Sequence, residues 1–324
     1  MKATAKAHTN IALIKYWGKR DDTLKLPMNN SLSLTLDALH TTTTVEFNPE
    51  LEHDIFYLND EKIQGISYQR VSSFLDLVRE YGDQKEHALV KSINEVPTAA
   101  GFASSASGFA ALAGAATKAM GLDINDQNLS RLTRQGSGSA CRSIYGGFVE
   151  WQKGNQTDGS DSFAVQLEEE SYWDIRVAAV VLFDEEKTVS SSEGMKRTVD
   201  TSVFYDGWVD SIPADLQTIK EGIHEKDFEK VGSVAEANCL RMHGTTFGAK
   251  PPFTYWSNAT FTVMETVQRM REEGIPMYFT IDAGPNVKVL YLPEHESVIQ
   301  EKLHSIPGVK NLVLSRLGRG ITYS

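Results

Sequence analysis

Small and hydroxyl-bearing residues are concentrated in one stretch, Pro97-Thr-Ala-Ala-Gly-Phe-Ala-Ser-Ser-Ala-Ser-Gly108. Its proline and glycine predict a tight loop, and apolar residues at helical spacing from Phe109 to Met120 predict a helix that Gly121 ends. A helix start without bulky side chains leaves its N–H groups open to an anion. The stretch therefore indicates a phosphate site. The alternative is a tightly packed helix with serine N-caps, and no Gly-Lys-Ser/Thr closes the loop as in a Walker A motif.

Three other segments combine cations with hydroxyl groups. Asn10-Ile-Ala-Leu-Ile-Lys-Tyr-Trp-Gly-Lys-Arg20 is mildly basic, and Gly136-Ser-Gly-Ser-Ala-Cys-Arg-Ser143 carries an arginine near its end. Lys187 opens the hydroxyl-rich turn Lys-Thr-Val-Ser-Ser-Ser-Glu-Gly-Met195. Arginine binds carboxylate or phosphate oxygens in a bidentate manner. Taken singly, these segments are also consistent with a solvated basic edge, a surface loop and an inter-domain loop.

One carboxylate completes the set. Asp282 ends a predicted strand and begins the turn sequence Asp-Ala-Gly-Pro-Asn286. An aspartate in such a place is most often only a turn former. Together, however, the four loops supply cations, hydroxyls and one carboxylate, and this combination predicts a site for an anionic ligand.

The composition limits the classes of protein. The chain has 324 residues, 41% of them hydrophobic, which predicts one large or two moderate domains. A net charge of −11 argues against nucleic-acid or membrane partners, which require a basic surface. Cys141 and Cys239 lack metal-type spacing, so neither a disulfide framework nor a zinc site is predicted. Without an apolar signal core or membrane span, the expected location is cytoplasmic.

Hydrophobic periodicity predicts a mixed α+β fold. The predicted strands span residues 31–36, 41–47, 54–58, 87–93, 147–151, 175–183, 277–282, 287–292 and 311–314. The predicted helices span residues 67–81, 109–120, 126–135, 214–223, 228–242, 255–273 and 294–304. Helical patterns dominate after residue 185, so we predict domains at 1–185 and 186–324 with a ligand cleft between them.

Five segments resemble mevalonate diphosphate decarboxylases, a family of the GHMP small-molecule kinase superfamily. They are Asn-Ile-Ala-Leu-Ile-Lys-Tyr-Trp-Gly-Lys (10–19), Pro-Met-Asn-Asn-Ser-Leu-Ser (27–33), Pro-Thr-Ala-Ala-Gly-Phe-Ala-Ser-Ser-Ala-Ser (97–107), Gly-Ser-Gly-Ser-Ala-Cys-Arg-Ser (136–143) and Asp-Ala-Gly-Pro-Asn (282–286). They follow the family's order over nearly the whole chain. The serine loop is shared across the superfamily, whereas Lys-Tyr-Trp-Gly-Lys and Asp-Ala-Gly-Pro-Asn are specific to the decarboxylases.

The resemblance implies a two-domain α+β sandwich with an inter-domain active-site cleft. Its N-terminal domain is a GHMP ATP-binding domain similar to ribosomal S5 domain 2, its C-terminal domain is ferredoxin-like, and homodimers are usual. The implied reaction converts ATP and mevalonate 5-diphosphate, with magnesium, to isopentenyl diphosphate, carbon dioxide, phosphate and ADP. A tertiary hydroxyl leaves poorly, so it is first phosphorylated at C3, and the departing carboxylate then supplies the electrons.

Motif position implies roles for the residues on the substrate side. Asp282 is expected against the C3 hydroxyl as a general base or an orienting acceptor, with orientation favoured because loose phosphoryl transfer needs little basicity. Arg142 is expected to hold the substrate carboxylate, and Lys15 and Asn10 to keep Asp282 ionised and in place. The residues expected to bind the substrate diphosphate are Tyr16, Lys19, Ser137, Ser139 and Ser191.

The resemblance also implies a nucleotide side. The residues expected around the ATP phosphates are Pro97, Gly101, Ala103, Ser104, Ser105 and Ser107. Ser105 and Ser107 are further expected to hold Mg²⁺, and Lys187 resembles the family lysine that approaches the transferred phosphoryl group. The adenine pocket has no sharp motif and is assigned to Arg70, Ser92 and Asn94. Ser192 stands where some bacterial members carry an arginine, a departure that affects one charge contact with the diphosphate.

Two other functions compete with this interpretation. A GHMP-family mevalonate or phosphomevalonate kinase would stop at a phosphorylated product, but it has no reason to hold the substrate carboxylate with Arg142 beside Asp282 and Lys15. A catalytically silent GHMP-fold binding protein is expected to have a broken serine loop or to lack the aspartate, and neither is seen.

Overall fold

The computed structural model describes residues 1–95, 104–182 and 188–324, and the main chain alone at Ser104. The predictions made for Pro97, Gly101, Ala103 and Lys187 therefore lie outside the described residues. Within them, the strands in chain order are β1 (Lys2–Ile14), β2 (Lys19–Asp21), β3 (Leu26–Pro27), β4 (Ser31–Phe47), β5 (Ile55–Leu58), β6 (Glu61–Lys62), β7 (Ala88–Asn94), β8 (Phe148–Trp151), β9 (Ala164–Glu168), β10 (Arg176–Val181), β11 (Met277–Ile281), β12 (Val287–Tyr291), β13 (Asn311–Ser315) and β14 (Thr322–Tyr323).

The helices pack against the sheets through their buried apolar residues. They are α1 (Gly65–Gly82), α2 (Ser104–Ala119), α3 (Asp126–Gly136), α4 (Ser191–Thr201), α5 (Tyr205–Glu225), α6 (Phe228–Phe247), α7 (Asn258–Glu272) and α8 (Glu296–His304). Two 3-10 helices, Gly138–Ile144 and Pro293–His295, lie between them. The mixture confirms the α+β class that the periodicity predicted.

Two sheets organise the described residues. The larger sheet runs in the order β14-β1-β4-β7-β5-β6, and β8 extends it by pairing with β4 and β9. The smaller sheet is fully antiparallel, in the order β11-β12-β10-β13. Strands β10, β11 and β12 are buried along nearly their whole length, and because successive side chains point to opposite faces, each strand contributes to both faces of the sheet.

Three hydrophobic clusters hold these layers together. One packs α1 and the alanine-rich α2 against the larger sheet. A second packs α6, α7 and α8 against one face of the smaller sheet. The third joins the two halves, because it unites Leu13 and Leu34 of the larger sheet with Val177 of the smaller one and Trp208 of α5. A shared core of this kind holds the two sheets in a fixed relation.

Tertiary packing moved several boundaries away from the predicted ones. The predicted strands 31–36 and 41–47 form one continuous β4, because β1 pairs along nearly its full length. The predicted helix 214–223 extends from Tyr205 to Glu225 through Pro213, since Trp208, Ile212 and Leu216 continue its buried face. The first helix begins at Gly65 rather than at the predicted Ser67 cap. The predicted strands also leave out β1, β9 and the short strands β2, β3, β6 and β14.

Two predicted loops are short helices. The segment after Gly136, predicted as a Gly-Ser loop, forms the 3-10 helix Gly138–Ile144. The hydroxyl-rich turn after Lys187 leads into α4, whose first turn is capped by Ser190 accepting a hydrogen bond from the Glu193 N–H. Ser191 is therefore the first residue of a helix rather than part of an extended loop.

The change of sheet falls earlier than residue 185. Strand β10 pairs with β12 and β13, so the smaller sheet begins at Arg176, while the last strand β14 returns to β1 of the larger sheet. The domain division at 185 itself stays a prediction. Among the described residues, no helix combines the length and apolar character required to cross a bilayer.

Candidate active site

The ends of two strands bring Asp282 and Lys15 together. Asp282 directly follows β11, and Lys15 directly follows β1 of the other sheet. The Lys15 Nζ lies 2.7 Å from Asp282 Oδ1, and the Lys288 Nζ lies 3.4 Å from Asp282 Oδ2. Both lysine side chains are 2% exposed, whereas that of Asp282 is 23% exposed. The carboxylate is therefore partly accessible, while its two cations are buried.

The electrostatic balance at this cluster keeps Asp282 ionised. Burial by itself raises the pKa of the Asp282 carboxyl. The ammonium groups of Lys15 and Lys288, each also a hydrogen-bond donor to it, more than offset burial and hold the pKa well below its ordinary value. Burial also lowers the pKa of Lys288, which the carboxylate partly counteracts.

A buried polar chain fixes the main chain at Lys15. The Lys15 N–H donates to Asn238 Oδ1 of α6 at 2.9 Å, and its carbonyl accepts from Asn29 Nδ2 at 2.7 Å. Asn238 in turn donates to Asp215 Oδ2 of α5 at 2.7 Å, and Arg241 donates to the other Asp215 oxygen at 3.1 Å. Lys15 is thus anchored to the second half of the molecule.

Arg142 and Asn10 form a second buried cluster on the larger sheet. Asn10 Oδ1 accepts from Arg142 Nε at 3.2 Å and Nη2 at 3.0 Å. Its amide nitrogen donates to the Ser139 carbonyl at 3.0 Å and to Ser143 Oγ at 2.8 Å. Arg142 also donates to the hydroxyls of Ser31 and Ser33. Asn10 therefore hydrogen-bonds Arg142, whereas the sequence analysis expected it to hold Asp282 in place. Besides Lys15, the group that contacts Asp282 is Lys288.

Tyr16 lies beside this cluster, in an aromatic pocket. Its ring meets that of Trp151 edge-on, with centroids 4.7 Å apart, and Arg142 lies 6.0 Å from the centre of the Trp151 ring. A Cβ on Gly138 would lie 2.9 Å from both the Tyr16 hydroxyl oxygen and Trp151, so this close approach requires glycine. Burial raises the pKa of Tyr16, so it is a neutral donor.

Lys19 and Ser191 are less tightly joined to the cluster. Lys19 pairs with the exposed Asp22 at 2.9 Å. Ser191 is half-buried at the start of α4, and the adjacent Ser192 is exposed. Helix α4 is tied to the Lys-Tyr-Trp-Gly-Lys segment by Trp17, whose Nε1 donates to Thr198 Oγ1 at 2.7 Å.

A hydrogen bond links the start of the serine helix α2 to Ser137, the residue before the 3-10 helix. Ser137 Oγ donates to Ser105 Oγ at 3.4 Å, so both predicted hydroxyls face the same space. Ser107 is completely buried, where its hydroxyl contacts those of Thr9 and Thr41 at 3.2 and 2.8 Å. Of the two serines assigned to Mg²⁺, Ser105 has the accessible hydroxyl.

An open cleft runs along α2 and encloses about 720 Å³, including the part open to solvent. The described residues lining it are Thr41, Phe56, Leu58, Ser67, Arg70, Val71, Val90, Ser92, Asn94, Ser105, Gly108, Phe109 and Leu112. All three residues assigned to the adenine pocket, Arg70, Ser92 and Asn94, therefore share one cleft with Ser105. We call it the nucleotide cleft.

Sequence reasoning missed Lys288 and Asn238. The register of β11 and β12 pairs Thr280 with Lys288, so Lys288 lies on the same sheet face as Thr280 and Asp282. A lysine within the otherwise apolar strand Val-Lys-Val-Leu-Tyr, beyond a turn that begins with aspartate, was an available signal. Asn238 gave no comparable signal, because a helical asparagine is usually exposed.

Comparisons with known proteins agree with this geometry. A family model for the diphosphomevalonate decarboxylase-like N-terminal domain matches residues 7–164, and one for the mevalonate 5-diphosphate decarboxylase C-terminal domain matches residues 177–313. Diphosphomevalonate decarboxylase of Saccharomyces cerevisiae is 38% identical over 329 residues, covering 94% of this chain and 83% of the relative.

Solved structures agree over the whole chain. Mevalonate diphosphate decarboxylase from Staphylococcus aureus superposes with a TM-score of 0.95 at 46% identity, covering 100% of this chain and 98% of the other. The Enterococcus faecalis enzyme, studied for mevalonate diphosphate mediated ATP binding, gives 0.94 at 48% identity, with 100% and 99% covered. Another structure, described as MDDEF in complex with MVAPP, AMPPCP and magnesium, gives 0.94 at 49% identity with the same coverage.

Together, fold and site define the class of protein as a GHMP-kinase-like enzyme with an α+β fold. The chain belongs to the mevalonate diphosphate decarboxylase family.

Proposed function

We propose that this enzyme phosphorylates the C3 hydroxyl of mevalonate 5-diphosphate with ATP and then releases carbon dioxide and phosphate, leaving isopentenyl diphosphate and ADP. The observation that carries the proposal is the partly exposed Asp282, held by the buried Lys15 at the junction of the two sheets. Full-length similarity to diphosphomevalonate decarboxylases supports it.

Asp282 orients the hydroxyl that accepts the phosphoryl group. Its carboxylate stays ionised and partly exposed, so it accepts a hydrogen bond from the C3 hydroxyl and aims the oxygen at the γ-phosphorus. A transfer that is loose at the transition state gains more from this alignment than from early proton removal.

Arg142 and Tyr16 hold the remaining anionic groups. The Arg142 guanidinium, oriented by Asn10, supplies a fixed positive charge for the substrate carboxylate until decarboxylation. Tyr16, Lys19, Ser137, Ser139 and Ser191 bind the substrate diphosphate.

The nucleotide lies along α2. Its phosphates meet the start of the helix near Ser104 and Ser105, where N–H groups and the helix dipole favour negative charge. Its base enters the nucleotide cleft beside Arg70, Ser92 and Asn94. Ser105 offers the half-buried hydroxyl oxygen that fits Mg²⁺, a cation that prefers oxygen ligands and neutralises charge on the phosphates.

The same proposal covers the setting of the enzyme. We expect a homodimer built from two-domain subunits, with the domains divided near residue 185, in the cytoplasm. Both cysteines are buried free thiols, as in proteins of a reducing compartment. Light scattering coupled to size-exclusion chromatography tests the dimer.

Turnover of mevalonate 5-diphosphate labelled in its carboxyl carbon tests the reaction. We expect labelled carbon dioxide to appear in step with ADP, and the monophosphate and free acid to be poor substrates. ADP formation without gas would instead identify a kinase that stops at the 3-phosphate.

A further inference from the structure

The geometry points to Lys288 as a positioning residue for the phosphoryl-accepting hydroxyl, acting through Asp282. We propose that Lys288 holds Oδ2 while Lys15 holds Oδ1, so that the carboxylate is fixed in one orientation and takes the hydroxyl proton late rather than early. This inference rests on the proposed function, and it assigns a task to a residue outside the motifs that define the site.

Three observations place Lys288 in this role. Its Nζ lies 3.4 Å from Asp282 Oδ2 and 3.3 Å from the Asn286 carbonyl. The residue is 1% exposed, so the cation lacks solvent and depends on fixed protein partners. The pairing of Lys288 with Thr280 directs its side chain to the Asp282 face of the sheet.

Two cations on one carboxylate determine when the proton moves. In the transfer, the C3 oxygen bonds to the γ-phosphorus while the bond from that phosphorus to the β,γ-bridging oxygen breaks, and ADP leaves with the electron pair. The hydroxyl proton becomes strongly acidic only as the new bond forms. It then passes to Asp282, whose low basicity makes earlier transfer unfavourable.

Among the residues that the structure describes, few charged or titratable groups surround Asp282. Lys15 faces it from the end of β1 and Lys288 from β12. Arg142 on the 3-10 helix and Cys239 and His243 on α6 act on it through space. Burial raises the pKa of Cys239 and lowers that of His243 to about 3, so both stay neutral near pH 7 and the two lysines dominate.

The test is Lys288→Met, which keeps the chain length and removes the charge. We expect kcat to fall about 100-fold with little change in either KM, because the hydroxyl is bound but misaligned. We also expect the acid limb of the kcat–pH profile to move up by about one pH unit, because Asp282 loses one nearby cation. Lys302→Met, an exposed lysine of α8, is the matched control for loss of a positive charge.

A double-variant cycle separates positioning from structure. If Lys288 acts through Asp282, Lys288→Met should lower kcat by less than about threefold in an enzyme that already carries Asp282→Asn. The inference would be overturned if the two substitutions together lowered kcat by the product of their separate effects. It would also be overturned if Lys288→Met alone left kcat and the acid limb of the kcat–pH profile unchanged. If Lys288→Met fails to fold, Lys288→Gln replaces it, because glutamine keeps a hydrogen-bond donor without the charge. The acid limb of its kcat–pH profile should then move in the same direction, and an unchanged limb would overturn the inference. Wild-type turnover without carbon dioxide would instead reject the proposed function.

Discussion

Charge placement around Asp282 explains the chemistry at the scale of single residues. One partly exposed carboxylate lies against two buried ammonium groups, and a further cation, Arg142, is held by Asn10 on the opposite sheet. A carboxylate in this setting remains an acceptor at neutral pH and is a weak base. The arrangement therefore favours orientation of an alcohol and disfavours strong general-base catalysis.

Asp282→Asn tests that role. We expect kcat to fall about 1,000-fold or more, several kcal/mol of transition-state stabilisation, because the amide aligns the hydroxyl poorly and no longer carries the negative charge that Lys15 and Lys288 contact. Binding of an ATP analogue, measured by calorimetry, should change little. Asp200→Asn, at an exposed pair with Lys196, is the control. Near-normal turnover would remove Asp282 from the chemistry.

The buried His243 should make the folded protein less stable in acid. Burial lowers its pKa to about 3 from an ordinary 6.5, and its Nε2 donates to the Ile281 carbonyl at 3.1 Å. Between those pH values the unfolded chain binds a proton that the folded state excludes, so stability rises with pH and is lost on acidification. We expect a slope of about 1 kcal/mol per pH unit from this residue.

Urea unfolding at pH 7, 6 and 5 checks the prediction with His243→Gln, which keeps a donor to Ile281. The difference in unfolding free energy between wild type and variant should shrink as pH falls. His304→Gln, at an exposed histidine of α8, should follow the wild type. Parallel curves for wild type and His243→Gln would contradict the assignment.

At the scale of elements, α2 presents Ser105, Gly108, Phe109 and Leu112 to the nucleotide cleft. Its alanines pack closely against the larger sheet, which brings the start of the helix near the 3-10 helix and its serines. Gly108 lines the cleft, and among the described residues no atom lies within 4 Å of where its Cβ would be. The cleft therefore owes part of its width to a missing side chain.

Gly108→Leu should narrow the cleft, because the leucine side chain would occupy the open space beside residue 108. We expect KM for ATP to rise at least about tenfold while stability stays equal or increases by up to about 1 kcal/mol, because glycine is a poor helix former. Gly207→Leu in α5 is the matched control, since its Cβ position is equally open among the described residues. Steady-state kinetics and thermal unfolding measure both effects. An unchanged KM for ATP would contradict the proposal that the adenine base of ATP binds in this cleft.

At the scale of the whole molecule, the site exists only where the two halves meet. Lys15 and Asn10 come from the larger sheet, Asp282 and Lys288 from the smaller one, and α6 joins them through Asn238. The shared hydrophobic cluster between the sheets holds this junction fixed. Relative placement of the halves therefore determines the distance between Lys15 and Asp282.

Asn238→Ala tests this junction. The Lys15 N–H and the Asp215 carboxylate would each lose a buried partner, which should cost about 2–4 kcal/mol of unfolding free energy and also lower kcat. Ser233→Ala, exposed on the same helix, should change stability by less than about 0.5 kcal/mol. Urea unfolding and turnover measure both. A loss of stability with unchanged kcat would separate the junction from the chemistry.

The sequence by itself determined the α+β class and the family, and it predicted the site residues, because short motifs such as Asp-Ala-Gly-Pro-Asn combine a turn with a reactive side chain. It also placed Arg70, Ser92 and Asn94 on one cleft. Tertiary structure alone decided that β4 is a single strand, that α5 passes through Pro213, and that Asn10 holds Arg142. It alone revealed Lys288, since strand register and burial depend on partners distant in the chain, which local periodicity does not encode.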